Sequence, residues 1–255
     1  MNKSLSFVLI GLLLVISFLA GTRWKKTDFN EKNLPQNSPR TTDERQTQVF
    51  NEPTVLGAAA MSELVKDGVV LGSQTAKVTV VEISDPSCPY CAIAAGFNIP
   101  PDFKVRDPNW EAPGPKLVEL AKEGKIQLVF RYFPGHGSGE QAMQALWCAE
   151  EQKPGVFWDY LDLVFKNQKD IANLEKILDL GESLNLTKEK IRDCVQSEKY
   201  KARLESDSRL ISKIVQENKY ETFGTPAFFI NGSPVIGAQG YENFEKIINS
   251  ELNQN

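Results

Sequence analysis

With 255 residues, 41% of them hydrophobic, the chain holds material for one large domain or two small ones. A formal net charge of −4 excludes an electrostatic case for nucleic acid as a partner. Four cysteines, one close pair and two distant residues, fit an oxidising compartment and permit more than one pairing.

The chain opens with an uncharged stretch from Ser4 to Gly21 that includes Leu12-Leu13-Leu14-Val15-Ile16. Its length lies between a membrane span and the apolar part of a secretion signal. Phe18 before Ala20 and Leu19 before Gly21 make a poor cleavage site, so residues 1–21 read as an uncleaved anchor in preference to a removed signal sequence. Arg23, Lys25 and Lys26 beyond the span argue weakly for the opposite orientation. Residues 22–53 are polar, with too few apolar side chains to build a core, and read as a tether.

The globular part is expected over 54–255. Ala58 to Val65 favours a short helix, and Val69-Val70-Leu71 leads through Gly72-Ser73 to Val78-Thr79-Val80-Val81-Glu82-Ile83, a buried strand. Cys88-Pro89-Tyr90-Cys91 follows, and Ala92-Ile93-Ala94-Ala95 continues as helix, with Pro89 suited to a first turn. Pro100, Pro101, Pro108 and Pro113 predict a loop over 97–114, after which Pro115 opens a helix that stops at Gly124. Ile126 to Phe133 is the next strand. Helical stripes then run from a Ser138 cap, with Gln141 completing a capping box, to about Val215, Thr187 capping one of them. Ala227 to Ile230, Asn231-Gly232 and Pro234-Val235-Ile236 make a hairpin whose second strand is an edge, and a helix from Tyr241 closes the chain. The order βαβ, helices, ββα predicts an α/β thioredoxin fold with an inserted all-helical subdomain at about 136–217.

Two cysteines two residues apart serve as a redox pair or as half of a zinc site. A strand delivering them to a helix N-terminus favours a thiolate at Cys88. Zinc needs four donors, and beyond the pair only His136, Cys148 and Cys194 are candidates, with no second close pair. His136, the only histidine, reads by default as a surface loop residue.

The chain resembles the DsbA-like thiol-disulfide oxidoreductases over roughly 70–255. The resemblance rests on Val80 to Asp85 leading into Cys88-Pro89-Tyr90-Cys91, on Phe130-Arg131-Tyr132-Phe133-Pro134, on Ala145 to Gln152 with Phe157-Trp158, and on Gly224-Thr225-Pro226-Ala227 with the hairpin. It implies an exposed nucleophile at Cys88 and a resolving thiol at Cys91. Glu82 matches the family's buried acid, a carboxyl whose raised pKa lets it exchange protons near neutrality; on alternation alone Glu82 could instead face solvent. Thr225-Pro226 looks like the cis-proline loop that, with Pro89 and Tyr90, meets the substrate. Cys148 and Cys194 match a structural disulfide, while read singly each could be a core thiol.

The resemblance further implies no metal and no cofactor beyond the redox-active disulfide. Unfolded or cysteine-containing client proteins would be the partners, with a quinone-linked membrane oxidase to regenerate the disulfide. The catalytic domain would lie outside the cytoplasm, membrane-anchored, or secreted or periplasmic if the N-terminal segment is cleaved. Tyr90 stands where DsbA has a histidine, so a milder oxidant is expected. A reductase or isomerase would use the same residues, and a non-catalytic thioredoxin-fold binding module or chaperone is the alternative of another class. The segment 97–114 is longer than the family pattern and either shapes a substrate groove with Phe103 and Trp110 or is a passive insertion.

Overall fold

A computed structural model describes residues 54–253 apart from Ser138. The anchor expected at 1–21, the tether at 22–53 and the Ser138 cap lie outside the described residues. Among those described, no helix is long and apolar enough to cross a membrane.

Five strands form one mixed sheet: β1 (Val69–Gly72), β2 (Val78–Ser84), β3 (Ile126–Tyr132), β4 (Ala227–Ile230) and β5 (Ser233–Ile236). Their spatial order is β1-β3-β2-β4-β5, with β2 and β3 parallel and the other neighbours antiparallel. β2 is central and packed on both faces, which is why its run of β-branched residues reads as nearly continuous. Side-chain alternation puts Val80, Glu82 and Ser84 toward one face and Val81 and Ile83 toward the other. β5 is an edge, so Pro234 withholds no ladder donor from a further strand. Asn231 and Gly232, with φ of 47° and 97°, make the tight turn between β4 and β5.

The parallel β2–β3 pair requires a crossover. It carries α2 (Pro89–Ala94), α3 (Pro101–Arg106) and α4 (Pro113–Lys122), after α1 (Ala58–Lys66) has preceded the sheet. The expected loop at 97–114 therefore needs correcting, since it contains α3 and the start of α4. Proline in a first turn lacks only an N–H that would have no partner there, so these prolines start helices instead of forbidding them. Phe103 packs edge-to-face on Trp110 at 5.2 Å, and Trp110, 6% exposed, donates to Ala238 O.

The helical block divides in two. α5 (Gly139–Gln152), α6 (Phe157–Lys166), a 3-10 turn at Gln168–Asp170, α7 (Leu174–Glu182) and α8 (Lys188–Gln196) share the apolar cluster that holds Val80, Leu128 and Phe228. α9 (Lys201–Glu217) instead joins α1 on the opposite sheet face, where Ile211 and Ile214 meet Leu64, Val81, Ile83 and Phe229. A buried ion pair between Arg131 and Asp207, 2.8 Å apart, ties α9 to β3. α10 (Tyr241–Asn253) packs Phe244 edge-to-face on Phe228. Thr187 stands at the N-cap of α8, but its side chain makes no capping bond; the Gln152 amide pairs with the Thr187 backbone instead.

Candidate redox site

β2 ends at Ser84, and Asp85-Pro86-Ser87 turns the chain into α2, whose N-cap is Cys88. The turn is held by Asp85, which is fully buried. Its carboxylate accepts from Ser87 N and Ser87 Oγ at 2.8 Å, from Gly135 N at 2.7 Å and from His136 N at 3.0 Å. This one side chain joins the cysteine turn to the loop after β3. The fit leaves no room for a larger residue opposite, because a Cβ at Gly139 would lie 2.0 Å from Asp85 Oδ1.

Thr225-Pro226 is a cis peptide, and the Cys88 thiol donates to Thr225 O at 3.2 Å. The second contact to the turn comes from the helical insertion. Gln168 donates its side-chain amide to both Pro86 O and Cys88 O at 2.8 Å. Neither Cys88 nor Cys91 is bonded to another sulfur. The expectation of an exposed nucleophile is corrected: Cys88 has no accessible surface, because its sulfur is turned inward onto the Thr225 carbonyl. The residues beside it are open to solvent. Pro89 is exposed and Tyr90 is 54% exposed, whereas Thr225 is half-buried and Pro226 buried.

The two thiols are driven apart in acidity. Cys88 is lowered to about 6, first by its hydrogen bond with the Cys91 thiol, against the opposing effect of burial. The Thr225 side chain, the Cys91 backbone N–H and His136 lower it further. Thr225 Oγ1 nevertheless makes no hydrogen bond of ordinary geometry, and Thr225 O, as an acceptor, favours the protonated thiol. Since α2 has only six residues, the lowering rests on these local donors more than on a long helix dipole. Cys91 is pushed well above 9 by burial and by its bond with Cys88.

Glu82 is 8% exposed and lies on the same strand face as Ser84. Burial raises its carboxyl to about 7, Ser84 opposes the rise and the charge of Asp162 adds to it. Ser84 also lowers the neighbouring Cys91 thiol. Its hydroxyl thus lies between the acid and the thiol, although it makes no hydrogen bond of ordinary geometry with either. Cys148 and Cys194 are joined in a disulfide between α5 and α8. Among the described residues, no three His, Cys, Asp or Glu side chains gather as a metal site.

Of the polar groups that hold the site, Ser84 and Asp85 lie within the motif before the cysteines without a role assigned there, and Asp162 and Gln168 lie in no motif. Period-two alternation from Glu82 points to Ser84, and the Asp-x-Ser spacing is a turn signal for Asp85. No sequence signal leads to Gln168 or Asp162, which arrive from the insertion.

The thioredoxin family model matches residues 109–250, more than half of the chain, starting beyond Cys91. Disulfide bond formation protein D of Bacillus subtilis is 25% identical over 213 residues, covering 79% of this chain and 86% of the relative. A match over that share of the chain necessarily spans Cys88 and Cys91. A putative protein-disulfide oxidoreductase of Rickettsia bellii is 26% identical over 191 residues, covering 73% of this chain and 66% of the relative. The crystal structure of oxidised BdbD from Bacillus subtilis superposes with a TM-score of 0.57 at 25% identity, over 74% of this chain and 95% of that one. The chain belongs to the thioredoxin family, as a DsbA-like protein-disulfide oxidoreductase.

Proposed function

We propose that this oxidoreductase works outside the cytoplasm, tethered by residues 1–21, and forms or exchanges disulfides in client proteins through Cys88 and Cys91. The observation that carries the reading is the asymmetry of the pair. Cys88 at about 6 is thiolate at neutral pH, while Cys91 stays protonated. Cys88 therefore makes and breaks the bond to the client sulfur. Cys91 resolves the mixed disulfide, and Glu82, poised near 7, takes or returns the Cys91 proton by way of the Ser84 side.

Pro89 and Tyr90 present an open rim, and the Thr225-Pro226 backbone beside Cys88 receives an extended client segment in strand-like fashion. A closed Cys148–Cys194 bond supports an oxidising compartment. A quinone-linked membrane partner would re-oxidise the pair.

The acidity of Cys88 lies between those of thioredoxin, about 7, and DsbA, about 3.5. A thiolate stabilised to that degree sets the potential between about −270 mV and about −120 mV. Redox titration of Cys88/Cys91 checks this, and a value at or above the DsbA figure would overturn it. Insulin reduction and oxidative refolding, with Cys88→Ser as control, give the direction of electron flow. A wild type inactive in both assays would make the domain a binding module.

A further inference from the structure

Glu82 needs a route to water if it is to relay protons, because it lies inside the protein. A cavity of about 120 Å³ opens beside it at the seam between the sheet and the insertion. Glu82 of β2 and Asp162 of α6 both line this cavity, with Phe97, Val118, Leu161 and Phe228 among the apolar walls. They are the only titratable side chains in the lining. Asp162 is exposed, so its side chain reaches solvent from the cavity mouth. Trp158, in the same lining, has a buried indole N–H without a protein partner. An internal water needs roughly 10–15 Å³ and two to four polar partners. The volume and the three polar groups meet both conditions.

We propose that Asp162 is the outer station of a proton path between Glu82 and solvent, so that the inserted helix α6 contributes to the redox chemistry of the thioredoxin half. The proposal rests on the role given to Glu82 above. When Cys91 Sγ attacks the Cys88–client disulfide, the Cys88–Cys91 bond forms and the Cys88–client bond breaks. The client sulfur leaves with the bonding pair as a thiolate; the cysteine pair is oxidised and the client reduced. The proton given up by Cys91 passes to the Glu82 carboxylate, through water to Asp162, and out. Client oxidation runs the same proton inward, so the path serves either direction of electron flow.

The surroundings fit this order. Glu82 is faced by Ser84 of its own strand, by Cys91 of α2 beyond it and by Asp162 of α6. Asp162 is raised to about 6 by partial desolvation against the apolar rim, although the residue stays open to solvent, and by Asp159 of α6, while Lys122 of α4 opposes the rise. With Glu82 at about 7 and Asp162 at about 6, transfer from Glu82 to Asp162 is uphill by about tenfold, and release from the more acidic Asp162 to neutral solvent draws the proton outward. Asp162 is a positioning residue for the proton, acting through Glu82.

The test follows single-turnover oxidation of the reduced full chain by glutathione disulfide. Resolution of the mixed disulfide is timed by acid quench and mass spectrometry from about pH 5 to about pH 9 in dilute buffer. Wild type should inflect in the Glu82 range. Asp162→Asn, which removes a like charge, should move the inflection to lower pH and slow resolution several-fold, and Asp162→Glu should restore both. An Asp162→Asn profile equal to wild type, with the inflection abolished by Glu82→Gln, would overturn the path and leave the Glu82 role standing. An inflection that survives Glu82→Gln would remove the Glu82 role itself, and the path with it.

Discussion

The two cysteine pairs of this chain use one kind of atom for opposite ends. Cys88 and Cys91 lie one turn apart at the start of a six-residue helix, unbonded, with Thr225 O, Ser84 and the Glu82 carboxyl near them. Cys148 and Cys194, 46 residues apart in the chain, come from two helices, lie within or against an apolar cluster, and are joined. In the chain-entropy model the long loop stabilises by about 4 kcal/mol and the short one by about 2 kcal/mol. Loop length makes Cys148–Cys194 a brace. Polar groups that split the acidity of the two thiols make Cys88/Cys91 a switch. What separates the pairs is the surrounding polarity and the length of chain enclosed, not the bond.

The strongest way to break this comparison is to remove the brace. Replacing both Cys148 and Cys194 by Ala should lower stability in urea by about 4 kcal/mol while the Cys88/Cys91 potential moves by less than about 30 mV. A larger shift in potential would show that the two pairs are coupled.

A smaller effect tests the polarity of the switch. The folded-state pKa of Glu82 is raised from 4.5 to about 7. Its contribution to stability is therefore intact below 4.5 and is lost as pH climbs through about 7. Glu82→Gln should match the parent near pH 4.5 and exceed it above pH 7 by on the order of 3 kcal/mol, read from urea unfolding at the two pH values.

The smallest effect concerns Gln168, through which the braced half touches the switch. Gln168→Ala frees the carbonyls of Pro86 and Cys88, and should cost about 1 kcal/mol of stability. The same change should move Cys88 upward from about 6, as read from thiolate ultraviolet absorbance. An unmoved thiol would confine Gln168 to a packing role.

Local patterns marked out much of this molecule. The β-branched run of β2, Pro89 in a first turn and the Asn231-Gly232 hairpin each follow from backbone preferences that act over a few residues. The proline spacing hides α3, because Pro101 and Pro113 occupy first turns of two helices, where a missing N–H costs nothing. The burial of Cys88 was equally hidden, since it depends on a carbonyl 137 residues away.

Periodicity and turn chemistry mark the strand, turn and helix that carry the pair and the order of the elements, while the buried acid Glu82 follows from the family resemblance alone. Packing of distant elements turns Cys88 inward to Thr225, takes α9 to the far sheet face, and brings Gln168 and Asp162 to the site from the insertion. Such contacts arise from how distant elements pack, and no spacing along the chain encodes them.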